Sequence, residues 1–199
     1  RLPTSYFFGR QLQAKSITVS PAEADVIAVS LFDPTISPGN AGVALVRTGA
    51  LQPLIAGALP AVGGQVGPIA FDGIGATVYG FNEETSEYGL YAMSVRGDGL
   101  TVANHTGITM TYYVRNLDWT NRGILVHRSI YRGSDLALLG TAPHGRCRPL
   151  STANRLVCIA TTDTGLATGR LATVDATTFA TVSRSAPSSL TVKSPFSFT

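Results

Sequence analysis

An all-β fold, an antiparallel β-propeller or a segment of one, is predicted by three observations in this 199-residue sequence. A unit of short apolar runs recurs four times, its central runs are apolar on both faces, and Gly- or Asp-marked turns separate them. Four of the runs align on one another: Asp25–Leu31 (DVIAVSL), Ala76–Asn82 (ATVYGFN), Gly123–Arg128 (GILVHR) and Arg155–Thr161 (RLVCIAT). In the first, Val26, Ala28 and Ser30 face one way while Ile27, Val29 and Leu31 face the other. Such a strand is buried on both sides. Stacked blades bury both faces of every middle strand, whereas a one-layer antiparallel sheet would not. A β-sandwich is the alternative architecture.

Taken in order, the first unit uses Lys15–Ser20, Asp25–Leu31, Gly42–Arg47 and Gln52–Ile55. The second uses Gly67–Phe71, Ala76–Asn82, Gly89–Val95 and Gly99–Asn104. The third and shortest uses Val114–Asp118, Gly123–Arg128, Ser129–Arg132 and Ala137–Gly140. The fourth uses Arg146–Leu150, Arg155–Thr161, Gly169–Val174 and Ala180–Arg184. The expected blades are 15–57, 67–105, 114–141 and 146–185 within a single domain over 1–199. Segments 1–13 and 189–199 are expected to be parts of flanking blades, Ser189–Lys193 being an inner strand. Asp72-Gly73 and Asp98-Gly99 are strong hairpin signals, because glycine supplies the positive φ that primed turns need. Pro38-Gly39 and Thr48-Gly49 mark similar breaks. No window carries a sustained helical period, and Pro21–Ala24 is at most one turn.

Composition agrees with this reading. Apolar residues make up 44% of the chain and charged residues only 14%, with 21 Gly and 11 Pro, which suits short strands and tight turns. The net charge of +3 comes from cations scattered along the chain, with no like-charged run and no basic cluster interleaved with aromatics. Nucleic acid is therefore not an expected partner. No stretch approaches the ~20 apolar residues of a membrane helix, so membrane insertion is not expected either. The chain starts at Arg1 without a signal-peptide pattern, as a processed chain or a piece of a longer one would.

Two cysteines, Cys147 and Cys158, fall opposite each other if Arg146–Leu150 and Arg155–Thr161 form a hairpin. A cross-strand disulfide is then feasible provided their Cα atoms lie within about 7 Å, and it would favour an oxidising compartment. Two buried free thiols are the alternative.

The stretch Gly67–Val95 (GPIAFDGIGATVYGFNEETSEYGLYAMSV) resembles a group of bacterial extracellular repeat proteins. Their blade pattern matches here at Tyr79-Gly80-Phe81-Asn82, at Glu84, at Ser86-Glu87 and at Gly89-Leu90. Ala24–Arg47 resembles the preceding blade of the same proteins. The resemblance implies a propeller fold, a secreted or cell-surface location and neighbouring immunoglobulin-like modules in many members. It implies no activity. Rings of six to eight blades are common, so four blades with flanking fragments suggest part of a longer protein, or a ring closed by the N-terminal strand.

Sites with chemistry are sparse. The acidic loop Asn82–Glu87 could offer oxygens to calcium but lacks the Asp-x-Asp-x-Asp-Gly spacing, so a solvated hairpin loop is expected. His105, His127 and His144 occur in no motif that fixes a catalytic partner, and no Gly-x-Ser-x-Gly elbow is present. Glu87 and Asp118 could be drafted as a glycosidase pair, as could any other two acids. Asn104-His105-Thr106 is a formal glycosylation sequon.

The inner strands of a propeller line its channel, and here they would bring Arg115, Asn116, Asp118, Trp119, Arg146 and Arg148 toward the axis. Those arginines could hold an anion, or bind carbonyls and acids between blades. The reading is a non-catalytic, secreted or cell-surface binding scaffold for a protein or a glycan, with no cofactor, no metal and no assigned catalytic residue. A propeller-type enzyme (lactonase, lyase or glycoside hydrolase) with a site at the channel is the alternative. Convergence of acids and His around an open metal position would favour the enzyme.

Overall fold

The computed structural model describes residues 12–37, 39–56, 66–82, 88–108, 116–150, 154–161 and 167–185. Among these residues, sixteen strands form four antiparallel four-stranded sheets, with spatial order following chain order in each. Sheet one holds β1 (Gln13–Val19), β2 (Val26–Phe32), β3 (Asn40–Arg47) and β4 (Ala50–Leu51). Sheet two holds β5 (Ile69–Phe71), β6 (Thr77–Phe81), β7 (Gly89–Arg96) and β8 (Gly99–Gly107). Sheet three holds β9 (Leu117–Thr120), β10 (Gly123–Val126), β11 (Ser129–Tyr131) and β12 (Leu138–Thr141). Sheet four holds β13 (Cys147–Leu150), β14 (Arg155–Thr161), β15 (Ala167–Asp175) and β16 (Thr181–Arg184). No described helix is long and apolar enough to cross a membrane.

Period-two alternation builds the stack, because successive residues of each strand point to opposite sheet faces. The forward face of sheet one, with Val26, Ala28, Val43 and Leu45, packs on Phe71, Val78 and Met93 of sheet two. The other face of sheet two, with Tyr79, Phe81 and Leu90, packs on Ile124, Val126 and Tyr131 of sheet three. Leu125 and Ile130, on the forward side of sheet three, meet Cys147, Leu156, Cys158 and Val174 of sheet four. The doubly apolar runs are thus the middle strands, sealed on both sides. Ser30, within one of them, is accommodated by donating its hydroxyl to the Val66 carbonyl.

The first strands of successive sheets lie side by side, β1 against β5, β5 against β9 and β9 against β13. They are the inner strands of an arc, and the later strands step outward. This is a β-propeller-like fold.

Several local expectations are corrected. The outer strand of sheet one is Ala50–Leu51 and not Gln52–Ile55, because Pro53 lacks the N–H a ladder needs. Leu54 and Ala56 make single bridges instead, to Gly99 and Val43. The inner strand of sheet three is Leu117–Thr120; Val114 and Arg115, expected to begin it, lie outside the described residues. The positive φ after Asp72 falls on Gly75, at 73°, and not on Gly73. Thr48 and Gly49, at 51° and 78°, make the two-residue turn between β3 and β4. Segments 1–11 and 186–199 also lie outside the described residues, and with them the expected strand at Ser189–Lys193.

Candidate functional site: the inner-strand groove

The four inner strands converge on an open groove with a volume of about 430 Å³. β1 contributes Ile17, Thr18 and Val19, and β5 with its following turn contributes Ile69 through Gly73. β9 contributes Leu117, Asp118 and Trp119, and β13 contributes Pro149. Ile17 and Val19 are 59% and 58% exposed, a high value for β-branched residues on a strand. The groove therefore presents apolar side chains to solvent together with one indole and two carboxylates. Such a mixture binds by apolar burial with a few polar orienting contacts.

Asp118 is held from two sides. The Arg148 guanidinium donates to both carboxylate oxygens at 2.7 and 2.8 Å, and the Asn116 amide donates to one of them at 3.2 Å. The same amide donates to the Cys147 carbonyl at 3.3 Å, and so ties β9 to β13. The Asn116 amide oxygen is buried with no hydrogen-bond partner. Asp72 is nearly buried and spends one carboxylate oxygen on the Ile74 and Ala76 backbone N–H groups, closing the turn after β5. Both acids thus serve the scaffold as well as the groove.

Trp119 stacks on Tyr79 with ring centroids 5.6 Å apart and planes 12° from parallel. Tyr79 donates its hydroxyl to the Gly133 carbonyl at 3.1 Å, linking sheets two and three. Burial, and then the Asp72 charge, raise the Tyr79 pKa, so the phenol keeps that proton. Two glycines make the seat for the indole. A Cβ on Gly73 would meet the indole nitrogen at 2.9 Å, and one on Gly133 would meet the Tyr79 hydroxyl at 2.6 Å. Gly133→Ala is therefore expected to displace Trp119, with a shift in tryptophan emission and a loss of about 1–3 kcal/mol, the usual cost of overpacking. Unchanged emission would refute the seat.

Of the residues expected at the channel, Asp118 and Trp119 line the groove and Asn116 and Arg148 adjoin it through Asp118. Arg146 precedes β13, is exposed, and acts on His127 instead. Arg115 lies outside the described residues. Ile17, Val19, Phe71 and Pro149 were not singled out from sequence. The available signal was the alternation of Ile17 and Val19 with Ser16, Thr18 and Ser20, which marks one apolar strand face without saying whether anything covers it.

The histidines lie elsewhere. His105 on β8 stacks on Tyr91 at 4.8 Å, and His127 occupies a left-handed turn after β10 at φ 58°. His144 is buried and shares a 2.9 Å hydrogen bond with Thr181. Burial first, then neighbouring arginine charge, lowers the pKa of His127 and of His144. The folded chain thus takes up protons less readily than the unfolded one, whose His titrates near 6.5. Stability is expected to fall as pH drops below about 6.5 toward those depressed values. A urea midpoint that is flat over that window would contradict this.

Cys147 and Cys158 are paired in register on β13 and β14, with Cα atoms 4.0 Å apart and sulfurs joined at 2.00 Å. Residues 83–87 of the acidic loop lie outside the described residues. Among the described residues, no three His, Cys, Asp or Glu side chains gather as a metal site would require.

No family model matches the sequence, and no curated protein matches it. Solved structures do. Hydrazine synthase of Kuenenia stuttgartiensis is 14% identical with a TM-score of 0.59, covering 86% of this chain and 48% of the other. The β-propeller domain of Myceliophteria thermophila Cps50 (Swd1) is 10% identical with a TM-score of 0.60, covering 88% and 56%. Chaetomium thermophilum Sqt1, bound to the N-terminus of ribosomal protein L10, is 10% identical with a TM-score of 0.55, covering 84% and 46%. At these identities the likeness is one of fold. The chain spans about half the length of the structures it matches.

Proposed function

We propose that this chain is a non-catalytic binding scaffold, secreted or displayed at the cell surface, whose inner-strand groove receives a segment of another protein. The observation that carries this reading is the groove itself, whose lining joins Trp119, seated on Tyr79, to apolar residues of β1 and β5. Trp anchors are over-represented among residues that dominate binding. The acids there are engaged in scaffold hydrogen bonds, and none of the described His residues lines the groove. That favours recognition over acid–base chemistry. The L10-bound Sqt1 offers a precedent for a protein segment on a related architecture. The cross-strand disulfide supports an oxidising compartment, as in the bacterial surface repeat proteins that the sequence resembles.

Panning a displayed peptide library and a glycan array against the whole chain tests the proposal. Peptides enriched by the wild type are expected to bind at least about 30-fold more weakly to Trp119→Ala, equivalent to about 2 kcal/mol. Arg148→Glu, at an exposed side chain, should change which peptides are selected. Selection of glycans alone, or peptide binding indifferent to both substitutions, would sink this reading.

A further inference from the structure

Three aspartates that close hairpin turns in this chain use their two oxygens in a related way. Asp135, between β11 and β12, accepts the Ala137 N–H on Oδ1 at 3.1 Å and the Arg132 guanidinium on Oδ2 at 2.6 Å. Asp175, between β15 and β16, accepts the Thr177 and Thr178 N–H groups on Oδ1 and Arg155 on Oδ2 at 2.8 Å. Asp72, between β5 and β6, repeats only the first half: its Oδ1 accepts from the Ile74 and Ala76 N–H groups. Its Oδ2 has no hydrogen-bond or ion-pair partner among the described residues. Yet Asp72 is buried, whereas the Asp135 and Asp175 side chains are 49% and 24% exposed. A carboxylate withdrawn from water with one oxygen unused carries a desolvation cost that a cation would offset.

The surroundings of Asp72 suit a guanidinium. Asp72 and Gly73 line the groove, and the Trp119 indole of the neighbouring strand lies against Gly73. Tyr79 covers one side of that indole, and the rest of the ring contributes to the groove lining. Indole faces attract cations, and the planar guanidinium of arginine stacks on them as well. Among the described groove-lining residues the ionisable ones are both carboxylates, Asp72 and Asp118. Arg148 already balances Asp118, so Asp72 is the charge left to be matched. Asp72 and Trp119 lie between sheets two and three, where β5 is flanked by β1 on one side and β9 on the other.

We infer that the groove selects an arginine side chain of the incoming segment, whose guanidinium donates to Asp72 Oδ2 and stacks on the Trp119 indole. The inference rests on the reading of the groove as a receptor for a protein segment, and it names the residue that the groove recognises. Within the chain, Arg132 and Arg155 already fill the equivalent position on Asp135 and Asp175. Lysine carries the same charge but lacks the planar fork, and is expected to bind more weakly.

Trp119 is the single tryptophan of the chain, so its indole N–H gives one resonance in a nitrogen–proton correlation spectrum. The whole chain is titrated at constant ionic strength with N-acetylarginine amide and with N-acetylcitrulline amide, its uncharged isostere. Arginine amide is expected to shift the indole resonance saturably. Citrulline amide on the wild type, and arginine amide on Asp72→Asn, should each bind at least about tenfold more weakly. Asparagine keeps an oxygen for the Ile74 and Ala76 N–H groups while removing the charge, and circular dichroism checks that the variant is folded. Should it fail to fold, the comparison of arginine with citrulline on the wild type still decides. Equal binding of the two amides overturns the inference, as does undiminished binding of arginine amide by folded Asp72→Asn. Peptides selected by panning are expected to share an arginine. Trp119-dependent peptides without one overturn the inference and leave the scaffold reading intact, whereas Asp72-dependent binding of arginine amide with no peptide selected supports the site and sinks that reading.

Discussion

Phe81→Ala is expected to lower the unfolding free energy by about 3–5 kcal/mol, the range for removing a buried aromatic ring. Phe81 ends β6 with no solvent exposure, packed among Leu90 of its own sheet and Ile124 of the next. The loss joins the transfer cost of the ring to a cavity that two stiff sheets cannot collapse around. Phe81→Leu refills most of that volume and should cost less than about 1.5 kcal/mol. Denaturant unfolding of the two variants checks this, with Ile74→Ala as a control. Ile74 is 75% exposed, and its truncation should stay within about 0.5 kcal/mol of wild type. Equal losses for Phe81→Ala and Phe81→Leu would mean that sheets two and three do not share a packed core.

Breaking the Cys147–Cys158 bond is the second large effect. The bond closes a short loop, with the cysteines 11 residues apart, so the chain-entropy contribution is about 2–3 kcal/mol. Both cysteines are also buried in the core between sheets three and four, so a doubly substituted Cys147→Ala, Cys158→Ala chain loses packing as well. The wild type should therefore unfold at lower denaturant when reductant is present. The double variant should be less stable than the reduced wild type and indifferent to reductant. Matching midpoints for the wild type with and without reductant would show that the bond contributes nothing to stability.

Most of the strand pattern was legible in the sequence, and the exceptions have identifiable causes. Doubly apolar runs such as DVIAVSL marked the middle strands because no polar face was available for solvent. The expected outer strand at Gln52–Ile55 failed at Pro53, where the missing N–H outweighs the apolar character around it. The Asp-Gly signal at 72–73 located a turn but misplaced its geometry. Asp72 caps the backbone through its side chain, Gly75 takes the positive φ, and Gly73 is small because Trp119 lies against it.

The groove was only partly legible. Asn116, Asp118, Trp119 and Arg148 were foreseeable as inner-strand residues, since the first strand of each unit lies nearest the axis. Their pairing was not, because Asp118 and Arg148 are separated by 30 positions and meet only where β9 lies beside β13. Arg146, two positions from Arg148, faces another environment altogether.

By itself, then, the sequence determined the all-β class, the four-fold repetition and the stacking of sheets. Those follow from the period of apolar residues, which is local and carried by every strand. Tertiary structure alone decided that Ile17, Val19 and Leu171 stay exposed while Val29 and Leu45 are sealed. An apolar residue reads the same in sequence whether a neighbouring sheet covers it or not. Exposure belongs to the arrangement of the sheets.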